Sequence, residues 1–163
     1  MPESQSSRAQ TFESHSDEET IAWGRRFAAT LPAKAVVLLI GNLGAGKTTL
    51  AKGILSGLGV TTPDEVSSPT FTLIHEYSGN SSGEARRAYH IDLYRLDTEA
   101  EVGTLGLDEL FDRQAVVLIE WGERFPRLLP PHRIEIGLTP GDSPGNSDSA
   151  LNEDSRTIEV REL

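Results

Sequence analysis

The chain has 163 residues, 15 basic and 25 acidic side chains, a formal net charge of −10 and no cysteine. That length suits one domain with a real core, and the acidity argues against a protein that grips nucleic-acid phosphate or a polybasic membrane anchor. Without cysteine there is no disulfide framework, thiolate zinc site or cysteine nucleophile. The polar, acidic start reads as neither a signal nor a transit peptide, and no apolar run approaches the ~18 residues of a membrane span. These features predict a cytoplasmic protein. The charge is uneven: residues 1–20 carry −4, residues 139–155 carry another −4, and the remainder only −2. Residues 1–10 and 139–155 have too few large apolar side chains to offset their ordering entropy. They are expected to be a disordered tail and a flexible acidic loop, with one domain over 11–163.

Ser16 followed by Glu19 is a capping-box signal, and Ile21, Ala28 and Leu31 at helical spacing place a helix that Pro32 ends. Ala35-Val36-Val37-Leu38-Leu39-Ile40 is a continuous apolar run of strand length, expected to be buried on both faces. It leads into a glycine-rich turn, after which Leu50, Ile54, Leu55 and Leu58 mark one helix face closed by Gly59. Residues 71–77 and 88–92 read as two strands joined by a polar turn at 79–83, an antiparallel hairpin. Two short helical patterns occupy 98–102 and 107–111. Val116-Val117-Leu118-Ile119-Glu120 is a second buried strand, ending in a carboxylate. Ile134-Glu135-Ile136 and Thr157-Ile158-Glu159-Val160 alternate and flank the acidic loop, so they should close the sheet as an antiparallel pair. Together these elements predict an α/β protein with a sheet of mixed direction.

The turn after the first buried strand, Gly41-Asn42-Leu43-Gly44-Ala45-Gly46-Lys47-Thr48, fits G-x-x-x-x-G-K-[ST] without a mismatch. In the required strand–turn–helix context, the glycines let successive N–H groups form an anion nest at the positive end of the following helix. Lys47 would neutralise β- and γ-phosphates, and Thr48 and Thr49 open the helix, with the Thr48 hydroxyl directed at Mg²⁺. Such a site needs a carboxylate at the end of a neighbouring buried strand. Glu120 and Asp92 are the candidates. Trp121, next to Glu120, reads either as a packing residue or as part of the pocket wall. His75, His90 and Asp92 could form a metal cluster on the hairpin, but without a spaced pair on one helix or any Cys these histidines read as structural or hydrogen-bonding. Two G-x-S-x-G matches, at 79–83 and 141–145, lack the strand–helix context of a nucleophile elbow.

Leu43-Gly44-Ala45-Gly46-Lys47-Thr48-Thr49, Ser68-Pro69-Thr70-Phe71-Thr72-Leu73, His90-x-Asp92-Leu93-Tyr94-Arg95-Leu96 and Ile119-Glu120-Trp121 occur in the order and spacing of the bacterial TsaE proteins. Over residues 14–137 the chain resembles that family, small P-loop ATPases of tRNA threonylcarbamoyladenosine biosynthesis. The resemblance implies a P-loop NTPase-like three-layer sandwich with a mixed parallel/antiparallel sheet and an inserted β-hairpin. It implies ATP/ADP and Mg²⁺ as ligands. It also implies slow hydrolysis that depends on a TsaB–TsaD complex, with no strong direct contact to nucleic acid. By position, Thr48 and Glu120 would hold Mg²⁺, Asp92 would arrange metal or water, and Thr70 would lie in a switch-like segment facing the γ-phosphate. Asp17, at the start of the first helix, would approach the nucleotide. Asn42 stands where the family often has an acidic residue. A small-molecule kinase built on the same phosphate loop is the alternative, although the arginines mark no lid helix.

Overall fold

The computed structural model describes residues 9–69, 73–81, 83–141 and 155–163. The described residues form seven strands and four α-helices in the order β1 (Ala9–Ser14), α1 (Asp17–Ala28), β2 (Ala35–Ile40), α2 (Lys47–Gly57), β3 (Ile74–Ser81), β4 (Glu84–Asp92), α3 (Glu99–Gly103), α4 (Leu107–Asp112), β5 (Val116–Glu120), β6 (Ile134–Pro140) and β7 (Arg156–Glu162). All seven strands belong to one sheet in the order β1-β7-β6-β2-β5-β4-β3. β2, β5 and β4 run parallel to one another, and β6 runs parallel to β2. The β3–β4, β6–β7 and β1–β7 pairs are antiparallel. The mixed α/β sheet expected from sequence is therefore present.

Alternation along β2 explains the layering. Val37 and Leu39 point to one face, where they pack with Leu50, Ile54 and Leu55 of α2 and Ala28 of α1. Val36 and Leu38 point to the other, where Val102, Leu107, Leu110 and Phe125 cover them. A strand with both faces covered must be apolar at every position, which is why this run does not alternate in sequence. Ser16 caps α1 by accepting from the Glu19 N–H, but Glu19 reaches back to the His15 N–H, one residue before the expected capping-box partner. Acidic residues at the start of α1 and Arg25 and Arg26 at its end complement the helix dipole.

Four boundaries differ from expectation. Ala9 and Gln10 are the first residues of β1 rather than the end of a tail, because pairing with Val160 and Arg161 supplies backbone bonds that composition does not reveal. The hairpin strands run on through Ser81 and restart at Glu84, so the turn is shorter than 79–83. Its first strand starts at Ile74, since Leu73 turns the chain with φ +66°. Phe71 and Thr72 lie outside the described residues, as does the acidic segment 142–154, whereas Thr139 and Pro140 belong to β6. Among the described residues, no helix is long and apolar enough to cross a membrane.

Candidate functional site

The site lies at the carboxyl ends of the parallel strands, where β2 turns into α2. Gly44 and Gly46 take φ values of +81° and +102°, a region that L side chains rarely enter. Gly41 is held to glycine by space instead: a Cβ would stand 2.8 Å from the Leu138 carbonyl oxygen and 2.9 Å from the Ala45 Cβ. The loop turns through an Ala45 N–H bond to the Asn42 carbonyl, burying Ala45 and leaving Asn42 and Leu43 exposed. Gly46 then caps α2 without a side chain, so the first N–H groups of this 11-residue helix face the cavity unscreened. A helix start of that kind attracts anions through both its free donors and its dipole.

Lys47 is nearly enclosed. Its Nζ donates to the Gly41 carbonyl at 2.6 Å and lies 3.4 Å above the centre of the Trp121 ring. Burial pulls its pKa down, against the attraction of Glu120, Glu123 and Asp92. Trp121 is itself in the left-handed region, at φ +67°, which swings its ring back over the loop. Such a conformation in a bulky residue marks local strain held in place by its surroundings. Tyr94 packs beside it, with ring centres 5.0 Å apart.

Register brings the two candidate carboxylates together. Asp92 and Glu120 are partnered at the ends of β4 and β5, so both project on the α2 side of the sheet. Glu120 is only 3 % exposed, and its Oε2 accepts from the Thr48 hydroxyl at 3.3 Å and lies 2.6 Å from His90 Nε2. Asp92 is 8 % exposed and accepts from the Ser68 hydroxyl at 2.9 Å and from the Tyr94 N–H at 2.9 Å. Thr48, Glu120 and Asp92 are an all-oxygen donor set, the kind that suits a hard divalent cation. The described residues contain no cluster of three or more His, Cys, Asp or Glu suited to a metal. That sparse set fits Mg²⁺, which binds through one or two carboxylates and completes its shell with water and phosphate oxygens.

The resulting cavity, of about 500 Å³, is lined by Leu43, Gly44, Gly46, Lys47, Thr48, Thr49, Asp92, Glu120 and Trp121. Asp17 also lines it, together with Ser68, Tyr94 and Arg156, which the sequence reading left unassigned. Gly41, Asn42 and Ala45 belong to the loop but do not line the cavity. Thr70 lies outside the described residues. Arg156 comes from β7, bonding Asp17 at 2.5 Å and Thr20 at 2.9 Å, with its guanidinium against Gly46. No local signal pointed to it, since it follows a low-complexity stretch 139 residues after Asp17. Glu123 is a further charge beside Lys47, its carboxyl pushed up by burial.

Residues 14–147 match the family described as threonylcarbamoyl adenosine biosynthesis protein TsaE. The chain belongs to the TsaE family. It is 44% identical over 119 residues to the tRNA threonylcarbamoyladenosine biosynthesis protein TsaE of Bacillus subtilis, covering 73% of this chain and 70% of that one. The TsaE of a Nostoc species is 45% identical over 130 residues, covering 77% and 75%, and that of Treponema pallidum 38% over 125 residues, covering 77% and 87%. The crystal structure of Bacillus subtilis YdiB superposes with a TM-score of 0.70 at 30% identity, covering 96% of this chain and 87% of that one. Membership of TsaE ties the chain to the biosynthesis of threonylcarbamoyladenosine in tRNA. It agrees with the fold, a P-loop NTPase-like sandwich of mixed sheet and helices.

Proposed function

We propose that this protein binds ATP with Mg²⁺ and hydrolyses it slowly, in the cytoplasm. Its nucleotide state would cycle a TsaB–TsaD complex during formation of N6-threonylcarbamoyladenosine in tRNA. The observation that carries this reading is the meeting of the Thr48 hydroxyl and the buried Glu120 carboxylate, 3.3 Å apart, directly behind a glycine loop that opens a helix.

In this reading the N–H groups of Gly44 to Thr49 cradle the phosphates, and Lys47 leaves the Gly41 carbonyl to meet the β- and γ-phosphate oxygens. Thr48 and Glu120 would hold the cation. Asp92, fixed by Ser68 and the Tyr94 N–H, would help hold the cation or orient the attacking water. When bound, Mg²⁺ supplies charge neutralisation on the phosphate oxygens. Trp121, Tyr94, Arg156 and Asp17 also line the cavity. Hydrolysis is expected to be slow because Lys47 rests on Gly41 and Trp121, so a productive arrangement needs a rearrangement that a partner can favour. The body of the protein carries little net charge, which fits partners that are proteins and a nucleotide more than a grip on RNA.

The test is ATP turnover with and without purified TsaB–TsaD, comparing wild type with Thr48→Ala and Glu120→Ala. Stimulation of the wild type by the complex, lost in both variants, is expected. Turnover by the isolated wild type at metabolic-enzyme rates, or label from ATP appearing on a small-molecule acceptor, would overturn the reading.

A further inference from the structure

Behind Glu120 stands a side chain that the nucleotide chemistry has not used. His90 lies in β4 two residues before Asp92, on the same face, and is 0 % exposed. A carboxylate can only accept, so Nε2 carries the hydrogen and donates to Glu120 Oε2 at 2.6 Å. The other ring nitrogen, Nδ1, meets no hydrogen-bond partner among the described residues. Packing therefore gives no reason for an imidazole here, since an apolar side chain of similar volume would fill the space without stranding Nδ1. The bond to Glu120 does give one.

Glu120 needs that bond more than Asp92 would. A glutamate has three side-chain torsions, and the last is broad, so a strand-end carboxylate touched only by a hydroxyl at 3.3 Å can turn away from it. Asp92 is shorter and already held on both oxygens, by Ser68 and by the Tyr94 N–H. His90 supplies the corresponding hold on Glu120, from the protein side and out of solvent. We propose that His90 is a positioning residue for cation binding. By donating to Oε2 it fixes the plane of the Glu120 carboxylate so that this group and Thr48 address one divalent ion. Partners of this kind behind metal ligands tune affinity by orienting them. The proposal deepens the Mg²⁺–nucleotide reading above and rests on it.

The test uses the full chain with ADP and Mn²⁺ as the probe. Mn²⁺ affinity of the ADP complex is read by electron paramagnetic resonance, ADP affinity in EDTA by calorimetry, and folding by circular dichroism. His90→Gln places an amide nitrogen near the reach of Nε2, whereas His90→Asn reaches only to the depth of Nδ1. His90→Gln is expected to keep Mn²⁺ affinity within about threefold of wild type, and His90→Asn to lose ~10- to 100-fold, the usual effect of removing such a partner. Both should bind ADP in EDTA as wild type does. If His90→Asn does not fold, His90→Leu replaces it, with the same expectation. Either variant without a donor at the reach of Nε2, His90→Asn or His90→Leu, holding Mn²⁺ at wild-type affinity overturns the role of His90 and leaves the nucleotide reading intact. So does a loss of ADP binding in EDTA that parallels the loss of Mn²⁺, which marks a purely structural residue. A wild type that takes up no Mn²⁺ with ADP overturns the nucleotide reading, and this proposal with it.

Discussion

Replacing Gly53 by alanine tests how the two helices that frame the site are held. Gly53 lies in α2 where α1 crosses it, and Gly24 of α1 faces it, leaving a seam without side chains. A Cβ at Gly53 would stand 2.3 Å from the Ile21 carbonyl oxygen and 2.9 Å from the Ile21 Cα. These are backbone atoms and cannot swing aside, so α1 must retreat by roughly 1 Å to restore ordinary contact. Overpacking costs ~1–3 kcal/mol, and a rigid backbone neighbour argues for the upper end, while alanine returns about 1 kcal/mol of helix propensity. The net loss is about 2 kcal/mol, or roughly 4–8 °C in Tm for a chain of this size. Gly103→Ala is the comparison: Gly103 ends α3 with no atom within 4 Å of its Cβ position and no positive φ. It should gain ~0.5–1 kcal/mol by restricting the unfolded chain. Thermal unfolding followed by circular dichroism reads both. Because α2 carries Lys47 and Thr48 and α1 carries Asp17, Gly53→Ala should also weaken ADP binding, and Gly103→Ala should not. A Gly53→Ala protein that melts at or above wild type would refute the argument from the seam.

The Glu123 carboxyl is pushed up mainly by burial, against the pull of Lys47 and Arg124, so the folded protein binds its proton more readily than the unfolded chain. Stability is therefore lost as pH rises above about 4.5 through the folded value. Glu123→Gln should melt above wild type at pH 7.5 and level with it near pH 4; coincident curves at both would contradict this. In a Trp23→Phe background, Trp121 is the sole tryptophan. Saturating Mg²⁺–ADP should change its emission as the Lys47 ammonium leaves the ring, and an unchanged spectrum would mean that Lys47 stays in place. Arg156→Ala removes the group that joins Asp17 and Thr20 beside Gly46. ADP affinity by calorimetry should fall about tenfold or more, the size of one charged hydrogen bond. Unchanged affinity would show that Arg156 serves only the start of α1.

Much of the site was legible because it is local. The spacing Gly41-x-x-x-x-Gly46-Lys47-Thr48 fixes a turn and a helix start within eight residues, and positive φ at Gly44 and Gly46 is the property that the motif encodes. The apolar runs 35–40 and 116–120 likewise mark strands covered on both faces, and Glu120 at the end of the second marks the sheet edge. β1 was missed for the opposite reason: Ala9–Ser14 has almost no hydrophobic signal and is a strand only because β7 offers it an edge. Sequence also carried the family through its motifs.

Tertiary structure decided what those residues meet. Thr48 and Glu120 are 72 positions apart, and only the parallel pairing of β4 with β5 sets Asp92 beside Glu120 and brings His90 to its carboxylate. Arg156 arrives from the far end of the chain because β6 and β7 return antiparallel past the loop. The glycine seam between α1 and α2 reads in sequence as ordinary helix-weakening residues. Propensity, capping and turn geometry are short-range and can be read along the chain. Strand register and helix approach are set by burial of surfaces from distant segments, so those partners emerge only when the sheet closes.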